Sequence, residues 1–584
     1  AGALGAPFHH RGSGAVADRL AASDPRITVV HKAANEGTHL ARRTGMERCC
    51  GEYTVFLDGD DSLKPDCLAL LDEALSADPV DSIHCGLVAQ AAGSTSDEAA
   101  KAFERFNNEG EGTLARQELL TQVFFERGGY RRDWRVTNHA YKTEALKRAF
   151  EAMTPERLDR AEDAYEYLVI CSVIEQEATR NDILGYVYNL GRGIINYDRL
   201  TPEAYAREAA QCQACIDASV DFARMSGDEA LAEAASGAKV KLAEIVTNDW
   251  QNRVAPEDQA KAAELIASVL GPNEVAANLA RLARDGAYRL WDTDVSLADD
   301  PSVERTFNLA LELSDTAHVA DDARARLDAA VAAAASHIGD LRRRDAERAE
   351  RDLLADYDAQ KVRILVSAHR DFARFDAKSL QMIQVGCAVN GGRLPDMLHD
   401  DEGDNDSGLN KMLCEMTAQY WAWKHVTDAE YVGFCHYRRY FNFSDTRYEE
   451  NGWGEVMAGT IDEAAQRRFG LDDASIARAI EGYDIVTAPM QDIRSLPAPY
   501  TTPAEQYADA PKLHIDDLIL CGEVVKELHP DYAQDVDAYL NGHTSCFCNM
   551  YIMRTELFRE YAEWVFPILD RCIDAIDFSH YSVE

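Results

Sequence analysis

Basic residues are scarce in this chain. Lys and Arg number 60 against 101 Asp and Glu, a formal net charge of −41. That argues against a general nucleic-acid binder, which needs a basic footprint. It also argues against broad electrostatic adhesion to an anionic membrane, although a local patch can still dock. No run of about 18 apolar residues is present, so no spanning helix is expected, and no signal peptide is read at the start. A cysteine framework is missing too: Cys49-Cys50 is vicinal, and Cys546-Phe-Cys548 lacks the spacing of a zinc pair. The cysteines therefore read as reduced thiols of a cytosolic protein. Over residues from about 200 to 360 no fixed-period repeat appears, so no solenoid is read there.

What is present is ample core material. The chain is 46% hydrophobic over 584 residues, enough for about four ordinary domains or fewer large ones. Its organising stretch runs from Gly51 to Asp66. Tyr53 to Leu57 is a short run of strand formers that ends abruptly in Asp58, Asp60 and Asp61. Carboxylates at the end of a buried strand need a cation or hydrogen bonds. Mg²⁺ is commonly held by one or two carboxylates plus substrate phosphates, so Asp-x-Asp here suggests a metal–diphosphate site. An acidic turn is the alternative, since Asp-Gly is also a turn signal.

The flanks add to this. Asn35-Glu-Gly37, Ala41-Arg42 and Gly51-Glu-Tyr53 precede Phe56-Leu-Asp-Gly-Asp-Asp61, and Pro65-Asp66 follows. Over roughly residues 12–195 this order resembles the family 2 glycosyltransferases of GT-A fold. The resemblance implies transfer from a nucleotide-diphosphate sugar, with Mn²⁺ or Mg²⁺ on Asp58 and Asp60. It places Asn35, Gly37, Arg42 and Asp61 at the donor as well, with Arg42 able to face phosphates. For Arg42 taken alone, a solvated helix arginine is the plainer reading.

Ala1 to Arg11 reads as strandless, where such a domain opens with a βα unit of about 30 residues. Only Gly12-Ser-Gly14 is similar to the end of the expected base-binding motif. The first βα unit is therefore expected to be missing from this chain. Downstream, helices are expected over Ala15–Ala22, Gly37–Met46 and Cys67–Leu75. Strands are expected over Arg26–Val30 and Ser82–Val88. This alternation predicts an α/β sheet with ligands at the strands' carboxyl ends. Trp134 to Lys142 resembles the family's acceptor segment and places Trp134 and Asn138 near the acceptor, with His139 where Lys is common. Glu162-Asp163 opens a helix, which is good macrodipole chemistry by itself. In the family the matching pair supplies the catalytic base, which transfers to Asp163, with Glu162 second. A carboxylate there takes the acceptor hydroxyl's proton in an inverting displacement.

Residues 196–360 turn rich in Ala, Glu, Asp and Arg and read as a helical spacer. Leu327, Val331, Ala334, Ile338 and Leu341 form a heptad seam too short for a sustained coiled coil, which favours packing on the helix's own domain. A second α/β domain is expected from 361 to 584, opening with the strand Val362–Ser367 and carrying a helix over Asn410–Lys424. Glu415…Tyr420-Trp-Ala-Trp-Lys424 and Cys435-His-Tyr-Arg-Arg-Tyr-Phe441 closely resemble the domain of unknown function 4422. That family is glycosyltransferase-like and found in capsule and cell-wall polysaccharide loci. The domains are thus expected at 1–195, 196–360 and 361–584, both α/β domains GT-A-like.

In the second domain His436, Arg438 and Arg439 follow a strand and can neutralise a leaving diphosphate without metal; a structural arginine pair with acidic partners is the alternative. The acidic loop Asp400–Asp406 can ligate a metal, with a solvated acidic loop as the alternative; Asp404 and Asn405 match the family's Gly-Asp-Asn and are the preferred cofactor-binding pair there. His543 and Asn549 are candidate acceptor contacts. Trp421 and Trp423 sit on a helix and read as core, with an aromatic sugar platform as the alternative, and Asp516-Asp517 is a weaker candidate base.

These readings predict a cytoplasmic glycosyltransferase in peripheral contact with the inner face of the plasma membrane. Its donor would be a UDP-sugar, UDP-galactofuranose included, and its acceptor a lipid-linked or oligosaccharide chain of a cell-envelope or capsular glycan. The alternative keeps one live transferase site and makes the other domain a glycan-binding module or scaffold.

Overall fold

A computed structural model describes residues 2–6, 12–93, 95–110, 112–125, 132–192, 199–316 and 323–581. The chain divides into two compact units, Ala1–Arg342 and Arg343–Glu584.

The first unit opens with β1 (Gly2–Ala6), paired parallel to β2 (Ile27–His31). No strand is expected over residues 2–6 from the sequence. Gly and Ala are weak strand formers, and the ladder to β2 overrides that local preference. The main sheet contains β3 (Tyr53–Val55), β4 (Ser62–Leu63), β5 (Ser82–Ala91), β6 (Gly112–Ala115), β7 (His139–Lys142) and β8 (Gln176–Leu190). Its order is β3-β7-β5-β8-β4, with β6 also on β8. The β5–β8 pair is parallel and the other pairs are antiparallel. The unit is therefore mixed α/β.

The Glu162–Cys171 helix is the hub of this unit. Every residue from Ala164 to Cys171 is buried. Tyr165, Tyr167 and Leu168 enter one core with Phe124, Phe150 and Leu146, while Ala164 enters a second core with Tyr205, Ile216 and Trp250. The helical stretch read as a spacer thus packs, as far as Arg342, as part of the first unit. The Glu229–Arg253 helix comes so close that a Cβ on Gly237 would lie 1.8 Å from the Phe124 carbonyl oxygen, so glycine is required there. Leu327, Ile338 and Leu341 are buried in the unit's own cores, and Ala334 is buried as well.

The second unit is built on β9 (Val362–Ala368), β10 (Leu380–Gln384), β11 (Leu398–His399), β12 (Tyr431–His436) and β13 (Ile485–Thr487). After the short β14 (Gln491–Asp492) and β15 (Thr544–Ser545) comes β16 (Tyr551–Arg554). The sheet order is β11-β10-β9-β12-β16-β13. β9 to β12 are mutually parallel, and β16 runs against β12. Buried apolar runs such as Ile364 to Val366 fit strands covered on both faces. The helix expected over Asn410–Lys424 is broken. It runs Asn410–Leu413 and Met416–His425, interrupted where Cys414 takes φ 50°.

Candidate active site

Ala161 sits in the left-handed region at φ 63° and starts the Glu162–Cys171 helix. Such strain in a non-glycine residue persists only where surroundings enforce it. Here they do. Arg160 pairs with Glu208 and Asp249, and the Cys215 thiol donates to the Arg160 carbonyl at 2.9 Å. The helices after residue 200 therefore brace the turn that aims Glu162 and Asp163.

Arg42 is the centre of the site. Its side chain is buried, and Nη1 donates to Asp163 Oδ1 at 2.5 Å and to Glu166 Oε2 at 2.8 Å. Nη2 donates to Asp58 Oδ1 at 3.1 Å, and Glu162 lies 3.7 Å from Nη1. Arg42 does not face open solvent or an empty phosphate cradle, as the sequence allows. It faces four carboxylates, because they are its only route to compensation once buried. Glu166 is fully buried, and its other oxygen takes His39 Nδ1 at 2.9 Å. Burial pushes the Asp163 carboxyl up to about 6, with Glu166 and Asp58 adding and Arg42 opposing. Burial also pushes Glu162 up, and Asp163 adds to it.

The other expected donor residues divide. Asp60 is exposed, with no bond to its carboxylate among the described residues, and Asp58 is about one-third exposed. Asp61 instead accepts from Tyr186 Oη and the Asn189 amide, both at 2.8 Å, so it ties the loop to β8 rather than facing a donor. Burial pushes it up to about 6. Asn35 Oδ1 accepts the Gly37 amide at 3.0 Å. Gly37 has φ 82°, and a Cβ there would meet Asp159 Oδ1 and the Leu158 carbonyl oxygen. These two residues shape the entry to the Gly37–Met46 helix. Among the described residues, no three His, Cys, Asp or Glu side chains are grouped to hold a metal alone. Two carboxylates, one wholly free, do fit a hard cation that takes its remaining oxygens from a diphosphate and water.

On the expected acceptor side, Trp134 stacks on Phe124 with ring centroids 6.0 Å apart and stays partly exposed. Asn138 is fully buried. Its amide donates to His84 Nε2 and the Cys85 carbonyl, so it cannot reach an acceptor and serves β5 instead.

In the second unit, His436 ends β12, where the sheet's parallel strands end. A tight turn closes by reciprocal backbone bonds between His436 and Arg439. Arg438 and Arg370 both lie over the Tyr437 ring, at 4.9 and 5.1 Å. Arg370, Arg438 and Arg439 are exposed and form no ion pair among the described residues, so the alternative of acidic partners is not what the turn shows. His436 Nε2 donates to the Cys548 carbonyl at 2.7 Å, and Glu415 Oε1 is 3.9 Å from the same nitrogen. Cys548 and Asn549 have φ 77° and 47°, and Asn549 Nδ2 reaches Met416 Sδ at 3.0 Å. Two strained segments, at Cys414 and at Cys548–Asn549, thus meet beside His436.

The remaining second-unit candidates have other duties. Asn405 bonds within its own loop, to the Asp401 and Gly403 carbonyls and the Ser407 amide, so it presents no free amide to a donor. Asp404 accepts from Tyr420 Oη at 3.2 Å. Asp400 is buried under four donors from Gly386, Cys387, Ser407 and Thr417, which makes it a structural anion. His543 Nδ1 is turned to the Thr501 carbonyl. Asp517 accepts from Tyr581 Oη. Trp421 is buried and Trp423 stacks on Phe566, both in core positions.

Glu166, His39 and Glu415 were missed from sequence. A lone Glu inside the apolar run Tyr165-Glu-Tyr-Leu-Val-Ile170, three residues after Asp163, is the signal that could have found Glu166.

Residues 10–135 match the glycosyl transferase family 2 model, and residues 363–584 match the domain of unknown function (DUF4422). The uncharacterized protein y4gI of Sinorhizobium fredii is 39% identical over 66 residues, 11% of this chain and 7% of that protein. The apo structure of the WbbM bifunctional glycosyltransferase shares 35% identity over 38% of this chain and 39% of its own, with a TM-score of 0.37. The S. aureus TarS 1–349 complex with UDP-GlcNAc shares 12% over 54% of this chain and 82% of its own, with a TM-score of 0.34. The chain therefore spans about two-fifths of WbbM's length and a small part of y4gI.

Proposed function

We propose that this chain, which carries a glycosyl transferase family 2 domain and a DUF4422 domain, transfers sugars from UDP-sugars to a growing cell-envelope or capsular glycan. One observation carries the reading: a single arginine, Arg42, gathers the donor-side Asp58 and the acceptor-side Asp163.

In the first unit Asp163 accepts the proton of the acceptor hydroxyl as that oxygen attacks the anomeric carbon. Direct displacement needs one base and no covalent intermediate, which gives inversion. Burial keeps Asp163 a stronger base than an ordinary aspartate. Asp58 and Asp60 would hold Mn²⁺ or Mg²⁺, which supplies charge neutralisation for the departing diphosphate. Arg42 stays charged inside the protein and holds Asp163 in place.

The second unit supplies a second centre. Arg370, Arg438 and Arg439 offer fixed positive charge to a diphosphate at the ends of the parallel strands. Glu415, beside His436, is the carboxylate placed to take a proton there. UDP-galactofuranose is the donor to try first. A lipid-linked acceptor would bring the chain to the inner face of the plasma membrane.

The test is UDP release from a panel of UDP-sugars, UDP-galactofuranose included, with a lipid-like sugar acceptor, in Mn²⁺ or EDTA. Release lost in EDTA and in Asp60→Ala assigns the activity to the first unit. Release that survives both but is lost in Arg438→Ala assigns it to the second. No release from any donor removes the transferase reading and leaves a glycan-binding scaffold.

A further inference from the structure

The Arg42 guanidinium is shared unequally. Its contacts to Asp163 and Glu166 are 2.5 and 2.8 Å, while Asp58 is held at 3.1 and 3.4 Å. Glu166 is fully buried and doubly held. One oxygen takes Arg42 and the other takes His39 Nδ1 at 2.9 Å. His39 is fully buried as well. Its Nε2 donates to the Thr154 carbonyl at 3.0 Å, and its ring lies beside Phe150 and Tyr165. Asp58 is the opposite case, with a side chain 35% exposed on the loop after β3. Water can replace a partner of Asp58, whereas Glu166 has no solvent to turn to.

We propose that Glu166, backed by His39, is a positioning residue that anchors Arg42 to the Glu162–Cys171 helix. Asp58 can then leave Arg42 for the cation and diphosphate of the donor while Asp163 stays aimed. The inference rests on the reading of Asp163 as the base. Neither Glu166 nor His39 touches substrate. Without the Glu166 carboxylate, Arg42 would keep Asp58 and Asp163 within hydrogen-bonding distance, with Glu162 farther off at 3.7 Å. Its hold on Asp58 would tighten, and a donor would have to compete for that carboxylate. An amide at position 166 would remove the negative charge that faces Arg42, while its N–H₂ could still donate to Nδ1 of a neutral His39 whose Nε2 keeps its proton on Thr154.

The test compares the full-length wild type with Glu166→Gln and Arg42→Lys. It reads kcat by UDP release, Mn²⁺–UDP affinity by calorimetry without acceptor, and Tm. Outer-shell partners of a metal site typically change affinity or rate by about tenfold or more. Glu166→Gln is expected to lower kcat and weaken Mn²⁺–UDP binding on that scale. Arg42→Lys is expected to lower kcat without weakening Mn²⁺–UDP, because one ammonium cannot hold Asp163 and Asp58 together and Asp58 is set free. A merely structural role for Glu166 would lower Tm and leave the affinity of the folded protein unchanged, and that result overturns the proposal. So does weakened Mn²⁺–UDP binding in Arg42→Lys, which would make Arg42 a phosphate contact. If Glu166→Gln does not fold, Arg42→Lys decides alone. A wild type that neither binds Mn²⁺–UDP nor releases UDP removes the transferase reading, and this inference with it. Wild-type binding with no change in folded Glu166→Gln removes the inference alone.

Discussion

Arg42 Nη1 lies 2.5 Å from Asp163 Oδ1, and the other terminal nitrogen of the same guanidinium lies 3.1 Å from Asp58. One carboxylate follows β3 and the other opens the Glu162–Cys171 helix. A buried cation therefore ties the two sides of the first unit's site together before any substrate arrives. Removing one partner of such a network leaves charge without compensation, typically at about 3–5 kcal/mol. The substitutions that inform most are those that keep shape and remove one charge.

Asp163→Asn keeps the shape and removes the carboxylate proposed as the base. General-base contributions run about 10²–10⁴-fold, and kcat for UDP release should fall on that scale while donor KM holds. Glu162→Gln should cost less than about tenfold, because burial already favours the neutral form of Glu162. Equal losses in both variants, or none in Asp163→Asn, would remove Asp163 from the role.

The pH dependence follows from the same burial. Asp163 must be ionised to accept a proton, and its carboxyl is pushed from 3.8 up to about 6. Activity should therefore fall as pH drops below about 6 and level off above it, with Glu162 and Asp163 titrating as a pair. Stability runs the other way. The folded state holds the proton more tightly than the unfolded chain, so the stabilisation is full below 3.8 and is lost as pH rises through about 6. Tm against pH for the wild type and Asp163→Asn should differ across that window. Parallel curves would show that Asp163 is not shifted.

Gly37→Ala is predicted to damage the site from outside it. The residue has φ 82°, and a Cβ would lie 2.7 Å from Asp159 Oδ1 and 3.2 Å from the Leu158 carbonyl oxygen. Left-handed backbone and crowding together should cost about 1–3 kcal/mol. The clash bears on the segment that leads into the strained Ala161 turn. We expect a lower Tm and a loss of kcat in the fraction that stays folded. An unchanged Tm would mean that the loop at 158–159 yields freely.

What could be read from the sequence, and what could not, follows physical lines. Asp58, Asp163 and Arg42 stand in local motifs, and the structure brings those three together although they lie far apart in the chain. The helices at Gly37–Met46 and Cys67–Ala77 were legible because the apolar spacing and the flanking turns agree. β1 was not, because its Gly and Ala residues carry no strand preference and the strand exists through its partner. Glu166 hid in an apolar helix, where its meaning depends on His39 and Arg42, more than a hundred residues earlier. Asn138 misled for the converse reason. Its neighbours resemble an acceptor segment, but strand register sets which way a side chain faces, and here it faces inward. The helices after residue 200 look like a connector by composition. Only packing shows that they hold Arg160 and, through it, the turn before Glu162.

The second unit gives a prediction that separates binding from folding. Arg438 and Arg439 are exposed and carry no ion pair among the described residues. Their joint replacement by Ala should leave Tm within about 2 °C of wild type. If the turn binds a diphosphate, the metal-independent part of UDP binding should weaken sharply and become insensitive to added salt. Full retention of that binding would remove the arginine turn from the donor site.

Metal removal sorts the two units by a different property. Asp60 is exposed, and no described residue bonds its carboxylate, so Asp60→Ala sacrifices nothing the fold depends on. Asp58 differs, because it also compensates Arg42. If both hold a divalent cation, Asp60→Ala should raise the Mn²⁺ concentration needed for half-maximal UDP release by about tenfold or more. Excess Mn²⁺ should restore part of the rate, and Tm should not move. Asp58→Ala should lose the rate at every Mn²⁺ concentration and lower Tm as well, because Arg42 then loses a partner in a buried network. The contrast between the two variants is the informative quantity. Identical behaviour, with Tm unchanged in both, would mean that Asp58 has no share in holding Arg42, and the Arg42–Asp58 contact would then be incidental to the site.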